Sequence, residues 1–144
     1  MPPSTDKAIL IVDDSIDEGI LLVRAFQKAG ITNPVNVVHS GEDAKAYLSG
    51  QKQYSDRGKY AVPSIILLDM KMPDTDGFGL LKWIKSDPAF KQIVVIVLSN
   101  MGATGDELRA YQLGANSYLI KPMSMDELIV FASAFQQYWL LRNR

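Results

Sequence analysis

Five short runs of apolar, largely β-branched residues alternate with amphipathic stretches along the chain, and this alternation restricts the fold more than any other feature. The runs are Ala8 to Val12 (AILIV), Val35 to Val38, Ser64 to Leu68 (SIILL), Ile93 to Leu98 (IVVIVL) and Ser117 to Ile120. Continuous apolar runs of this length suit strands buried on both faces, as parallel strands are. After the first run, Leu22, Ala25, Phe26 and Ala29 recur at helical spacing, behind a capping box of Ser15 and Glu18 and ahead of Gly30 as the stop. A second helix opens on Ser40 and Asp43 in the same arrangement and ends near Ser49 and Gly50. The third carries Phe78, Leu81 and Ile84, the fourth runs from about Asp106 to Leu113 before Gly114, and the fifth spans about Met125 to Leu141. Strand followed by helix, five times over, implies right-handed crossovers and a parallel sheet covered on both faces, a doubly wound α/β sandwich.

Length and composition narrow the setting. The chain has 144 residues, 47% of them apolar, which suits one compact domain: a core from about residue 7 to 141, a short tail at 1–6 and no separate output domain. The polar stretch from Gln51 to Pro63 is expected to be a surface loop, with Tyr54 and Tyr60 packing it onto the body. Lys and Arg number 15 against 16 for Asp and Glu, so no long-range field recruits nucleic acid or an anionic membrane. The absence of cysteine removes disulfides and thiolate chemistry together. No run approaches the roughly 18 apolar residues that span a bilayer, and the start has no apolar leader, so a cytoplasmic protein is expected.

In open α/β sheets ligands bind beyond the carboxyl ends of the strands. Here those ends carry Asp13 and Asp14 after the first run, Asp69 after the third, Ser99 after the fourth and Lys121 with Pro122 after the fifth. The flavodoxin-like strand order 2-1-3-4-5 would place the first and third strands side by side and gather Asp13, Asp14 and Asp69 in one pocket. Carboxylates so close either protonate in part or share a hard cation, and Mg2+ takes one or two carboxylates together with phosphate oxygens. Lys121 is then expected to pair with Asp69 at rest and with a phosphoryl oxygen afterwards, while the Ser99 hydroxyl donates to another. Taken singly, each residue has a bland reading: Asp14 as a cap of the first helix, Ser99 as a turn, Lys121 in solvent. Their joint order at one end of the sheet favours a phosphoacceptor site with Asp69 as nucleophile.

With these residues in view, the chain resembles the receiver domains of bacterial two-component response regulators over nearly its whole length. The acidic pair, the aspartate, the Ser and the Lys-Pro fall in the family's order and intervals, and Met72-Pro73, Asp76-Gly77 and Gly114-Ala115 resemble its loops. The resemblance implies phosphorylation of Asp69 by a histidine kinase, with Mg2+ held by Asp14, Asp69 and the backbone carbonyl of Lys71, and Asp13 holding a metal-bound water. It implies a switch at Tyr118, turning inward as Ser99 engages the phosphoryl group, and often a cis Lys121–Pro122 bond. The loop from Tyr54 to Pro63 and the ending Tyr138-Trp139-Leu140-Leu141 resemble single-domain regulators of phytochrome-type histidine kinases. Such a protein signals through contacts and is not an enzyme beyond its own phosphorylation and slow dephosphorylation.

Asn100 departs from the family's small residue after the conserved Ser or Thr and bears on access to the site. Lys71 at the pocket mouth is expected to slow hydrolysis. Because of Asn100, a pseudo-receiver that binds partners without phosphorylation is the first alternative. A dehalogenase-type phosphatase ranks below it, since Asp69 is followed by Met70-Lys71 and not by the D-x-D pattern. His39 is expected to be a loop residue, and Trp83 a surface aromatic. On the last helix Leu128, Phe131, Ala132, Phe135 and Trp139 form the core face, while Ile129, Val130, Tyr138 and Leu141 widen the apolar surface, which points to a homodimer through this helix.

Overall fold

The structure, a computed structural model, describes residues 7–70, 77–99 and 105–141. Lys71, Met72, Pro73, Asp76 and Asn100 therefore lie outside the described residues. Strands β1 (Ile9–Val12), β2 (Val35–Val38), β3 (Ile65–Asp69), β4 (Val94–Ser99) and β5 (Ser117–Ile120) form one parallel sheet in the order β2-β1-β3-β4-β5. Helices α1 (Ile16–Lys28), α2 (Gly41–Ser49), α3 (Gly77–Ser86), α4 (Asp106–Gln112) and α5 (Met125–Phe135) connect and cover it.

The pleat of each central strand divides its side chains between two cores. Leu10, Val12, Ile66, Leu68, Val95 and Val97 point to the face covered by α2 and α3, where they meet Tyr47, Leu48, Leu80, Leu81 and Ile84. Ile9, Ile11, Ile65, Leu67, Ile96 and Leu98 point the other way, onto Leu22 and Phe26 of α1 and Leu128, Ala132 and Phe135 of α5. Each fully buried Leu, Ile or Phe contributes about 1.5–3 kcal/mol relative to exposure, so the sheet is secured from both sides. Full burial holds for β1 and β3 alone among the apolar runs expected to be buried throughout. As edge strands, β2 and β5 have one flank unpaired, and Leu119 and Ile120 of β5 are exposed.

Helix termini follow their local chemistry. Ser15, Ser40 and Ser124 cap α1, α2 and α5 by accepting from the backbone N–H three residues on. Asp14 is thus not the cap of α1. The final helix departs from expectation as well: its α-helical part ends at Phe135, and Gln136–Leu141 widens into a π-helical segment. The carbonyl of Trp139 in that segment accepts from Lys7 Nζ at 2.8 Å, which joins the two ends of the described chain.

The Gln51 to Pro63 stretch is anchored more firmly than its polar composition suggests. After a 3-10 turn at Lys52–Tyr54, the Arg57 guanidinium donates to the carbonyls of Tyr47, Leu48, Tyr54 and Tyr60. Tyr60 meets both Tyr47 and Tyr54 edge-on, and Tyr54 packs tilted against Tyr47. Burial raises the pKa of the Tyr47 hydroxyl, which donates to the Ala61 carbonyl at 3.0 Å and accepts from Asn36. Trp83 is likewise more engaged than expected, half-buried and stacked on Phe90.

At Gly114 the backbone has φ of 105°, and an added Cβ would lie 2.9 Å from Lys85 Cγ. Lys85 cannot readily swing away, because its ammonium donates to the carbonyls of Lys91 and Ile93 and to Asn116. Gly114→Ala should therefore lose about 1–3 kcal/mol in urea denaturation, combining left-handed strain with the clash. Tyr47→Phe should lose about 1 kcal/mol in the same experiment by orphaning its two partners.

Candidate functional site

All four strand-end positions meet at the carboxyl edge of the sheet. Asp13 follows β1 and is 2% exposed, its N–H donating to the Val38 carbonyl at 3.0 Å. Asp69 closes β3 and Ser99 closes β4, both buried. Lys121 follows β5, and its N–H donates to the Ser99 carbonyl at 2.6 Å, which ties the last two strand ends together. Asp14 is exposed, yet one carboxylate oxygen from each of Asp13, Asp14 and Asp69 lies within 4.8 Å of the others. Three oxygens at this spacing fit a hard divalent cation that keeps part of its water shell. Half-buried Tyr118, on β5, packs partly against the core on the face covered by α2 to α4, and its N–H donates to the Tyr111 hydroxyl of α4.

Backbone packing sets the pocket's floor. An added Cβ on Gly77, at the start of α3, would lie 2.9 Å from Met70 Cα and 3.0 Å from Met70 O, so only glycine lets α3 approach the end of β3 this closely. His39 does more than the loop role expected of it, donating from Nδ1 to the carbonyl oxygen of Asp13 at 2.9 Å.

A search of protein families matches residues 9–132 to the response regulator receiver domain. The chain belongs to this family. Among curated proteins, this receiver is 35% identical to a probable methanogenesis regulatory protein, FilR2, of Methanothrix harundinacea, over 94% of the chain and 85% of the relative. It is 31% identical to the response regulator Rcp1 of Synechocystis, over 93% of the chain and 89% of Rcp1. The solved Mn(2+)-bound form of Rcp1 superposes with a TM-score of 0.84 at 30% identity, covering 96% of this chain and 97% of that one. The phosphorylated cyanobacterial phytochrome response regulator RcpA does so with a TM-score of 0.84 at 31% identity, covering 94% of each chain. Receivers of this family are signalling modules of two-component systems, which displaces the phosphatase reading.

Electrostatics in this receiver centre on the Lys121 ammonium. It lies 2.7 Å from Asp13 Oδ2 and 3.5 Å from Asp69 Oδ2, and it is closest of all to Glu18 Oε1. The expected resting pair with Asp69 is thus the longest of the three. Two other carboxylates lie nearer, and they orient the ammonium toward α1. Burial alone would lower the Lys121 pKa, but the hydrogen bonds it donates to Asp13 and Glu18 and the charges of Asp13 and Asp69 overcome it and raise the value above that of an ordinary lysine. Since the folded value is the higher one, this stabilisation is complete below a pH of about 10 and is lost only as pH climbs through the raised pKa.

Sequence reasoning assigned Glu18 to a capping box and so missed its place in the site. The first half of the box forms, with Glu18 N–H donating to Ser15 Oγ. The second half does not, because the Ser15 N–H donates to Asp13 Oδ1 at 2.9 Å and leaves the Glu18 carboxylate available. An aspartate two residues before a helix cap commonly takes this bond, which is the signal that could have freed Glu18 in advance. The implied cis Lys121–Pro122 bond is absent: no cis peptide occurs among the described residues, in line with a trans preference of about 0.5–1 kcal/mol for such amides.

Lys121→Met would leave Asp13, Glu18 and Asp69 facing one another without their cation. Chemical denaturation in chelator should show a loss of about 3 kcal/mol, as when one partner of a buried ion pair is removed. Magnesium should restore part of that loss by supplying positive charge to the same carboxylates.

Proposed function

We propose that this receiver accepts a phosphoryl group on Asp69 from a histidine kinase, in an Mg2+-dependent pocket, and signals through the surfaces that respond. The observation that carries this reading is the convergence of Asp13, Asp14, Asp69 and Lys121 at one sheet edge, two further carboxylates and one cation around the strand-end carboxylate of Asp69. A carboxylate oxygen of Asp69 forms the bond to phosphorus while the bond from phosphorus to the donor's leaving group breaks. Lys121 donates to one phosphoryl oxygen and the Ser99 hydroxyl to another, offsetting the charge carried in transfer. Asp14, Asp69 and the Lys71 carbonyl would hold the cation, with Asp13 steadying a bound water. Bound magnesium supplies charge neutralisation for the phosphoryl oxygens. As Ser99 turns to the phosphoryl group, Tyr118 moves inward and changes the surface of α4, β5 and α5.

RcpA, described as a phytochrome response regulator in its phosphorylated form, supports both the chemistry and a phytochrome-type kinase as donor. Rcp1 in its Mn(2+)-bound form supports the divalent site. A cytoplasmic location is the setting such a kinase donor requires; among the described residues no helix is long and apolar enough to cross a membrane.

A second copy of the chain is the proposed partner at α5. Val130, Tyr138 and Leu141 are exposed there beside Leu119 and Ile120 of β5, and two grooves along this surface meet at Phe131. Sedimentation at tens of micromolar should show a dimer that Val130→Asp disrupts.

Intact-protein mass spectrometry after incubation with acetyl phosphate tests the central reading. Magnesium should yield one added phosphoryl mass, labile to hydroxylamine and absent from Asp69→Asn. No gain with either acetyl phosphate or a phosphorylated kinase would overturn it in favour of a pseudo-receiver.

A further inference from the structure

Resting on that reading, one feature of the pocket goes beyond it. Three carboxylates share the Lys121 ammonium, but they differ in how firmly they are held. The side chains of Asp13 and Asp69 are 3% and 7% exposed, whereas that of Glu18 is 52% exposed on the first turn of α1. Asp13 also bonds the Ser15 N–H, so its carboxylate is fixed from two sides. A phosphoryl oxygen on Asp69 needs a donor from Lys121, and one of the existing contacts must yield it. Glu18 is the partner that releases most cheaply, because water replaces the lost bond at its exposed carboxylate but cannot do so at the buried ones.

We infer that Glu18 is a positioning residue that competes with the phosphoryl group for Lys121, holding the ammonium toward α1 at rest and opposing the loaded state. Nothing in the capping of α1 requires this carboxylate, since Ser15 Oγ and Asp13 Oδ1 already satisfy the N–H groups of Glu18 and Ser15. Its reach to Lys121, across 103 positions of sequence, is its only hydrogen bond drawn from outside α1 and its cap among those described.

The test compares wild type with Glu18→Gln and Glu18→Asp, loaded from acetyl phosphate at saturating magnesium and followed by intact mass. In this step the Asp69 Oδ–P bond forms and the P–O bond of acetyl phosphate breaks, acetate leaving with the electron pair. Both variants should load about two- to fivefold faster, the range a half-exposed ion pair commands. The aspartate variant is the decisive one: it keeps the negative charge on α1 but is one methylene too short for the contact. The 15N resonance of the Lys121 side chain, recorded without donor, should shift in both variants. A merely structural role for Glu18 would not raise the loading rate. Glu18→Asp loading at the wild-type rate while Glu18→Gln is faster would overturn the inference, since long-range repulsion of the anionic donor would then account for the effect. Wild-type rates in both variants would overturn it too. A wild type that takes no phosphoryl group from either acetyl phosphate or a phosphorylated kinase would overturn the assignment of Asp69 and this inference with it.

Discussion

One ammonium group holds the functional edge of this molecule together. Lys121 faces Asp13, Glu18 and Asp69, side chains from the ends of β1 and β3 and the start of α1, while its own N–H is bonded to the end of β4. Without that cation the carboxylates would repel one another at the place where a parallel sheet concentrates its strand ends. The acidic cluster is therefore a source of latent instability, balanced by an ammonium that stays protonated at any physiological pH.

The rest of the fold serves to hold this edge in register. Central strands buried on both faces cannot slip by one residue without moving an entire apolar row to the wrong core, so Asp69 and Ser99 are delivered to fixed positions. Gly77 lets α3 close on the end of β3, and Gly114 lets the turn before β5 pass over Lys85. The periphery is more exposed. β5 is an edge strand with Leu119 and Ile120 exposed, and the N–H of its Tyr118 donates to the Tyr111 hydroxyl of α4.

Much of this was legible in the residues alone. The apolar runs located all five strands to within a residue or so, Ser15 and Ser40 located two helix starts, and the strand-end residues located the acidic cluster. These are local properties: burial on both faces writes a continuous apolar run, and a cap lies within three residues of what it caps. The errors arose where two local readings competed for one group. Ser15 and Glu18 satisfied a capping box on paper, but Asp13 took the Ser15 N–H. The last helix kept a helical apolar pattern through Leu141, which does not distinguish α from π hydrogen bonding.

Sequence by itself determined the alternation of strand and helix, the parallel sheet, and the identity of Asp13, Asp14, Asp69, Ser99 and Lys121 as strand-end residues. Tertiary structure alone decided which strands would be half exposed at the edges, and which carboxylates Lys121 would meet first. The reason is physical: hydrophobic periodicity records the face a side chain turns to the core, whereas an ion pair between Glu18 and Lys121 depends on where the packing of α1 and β5 against one sheet leaves their tips.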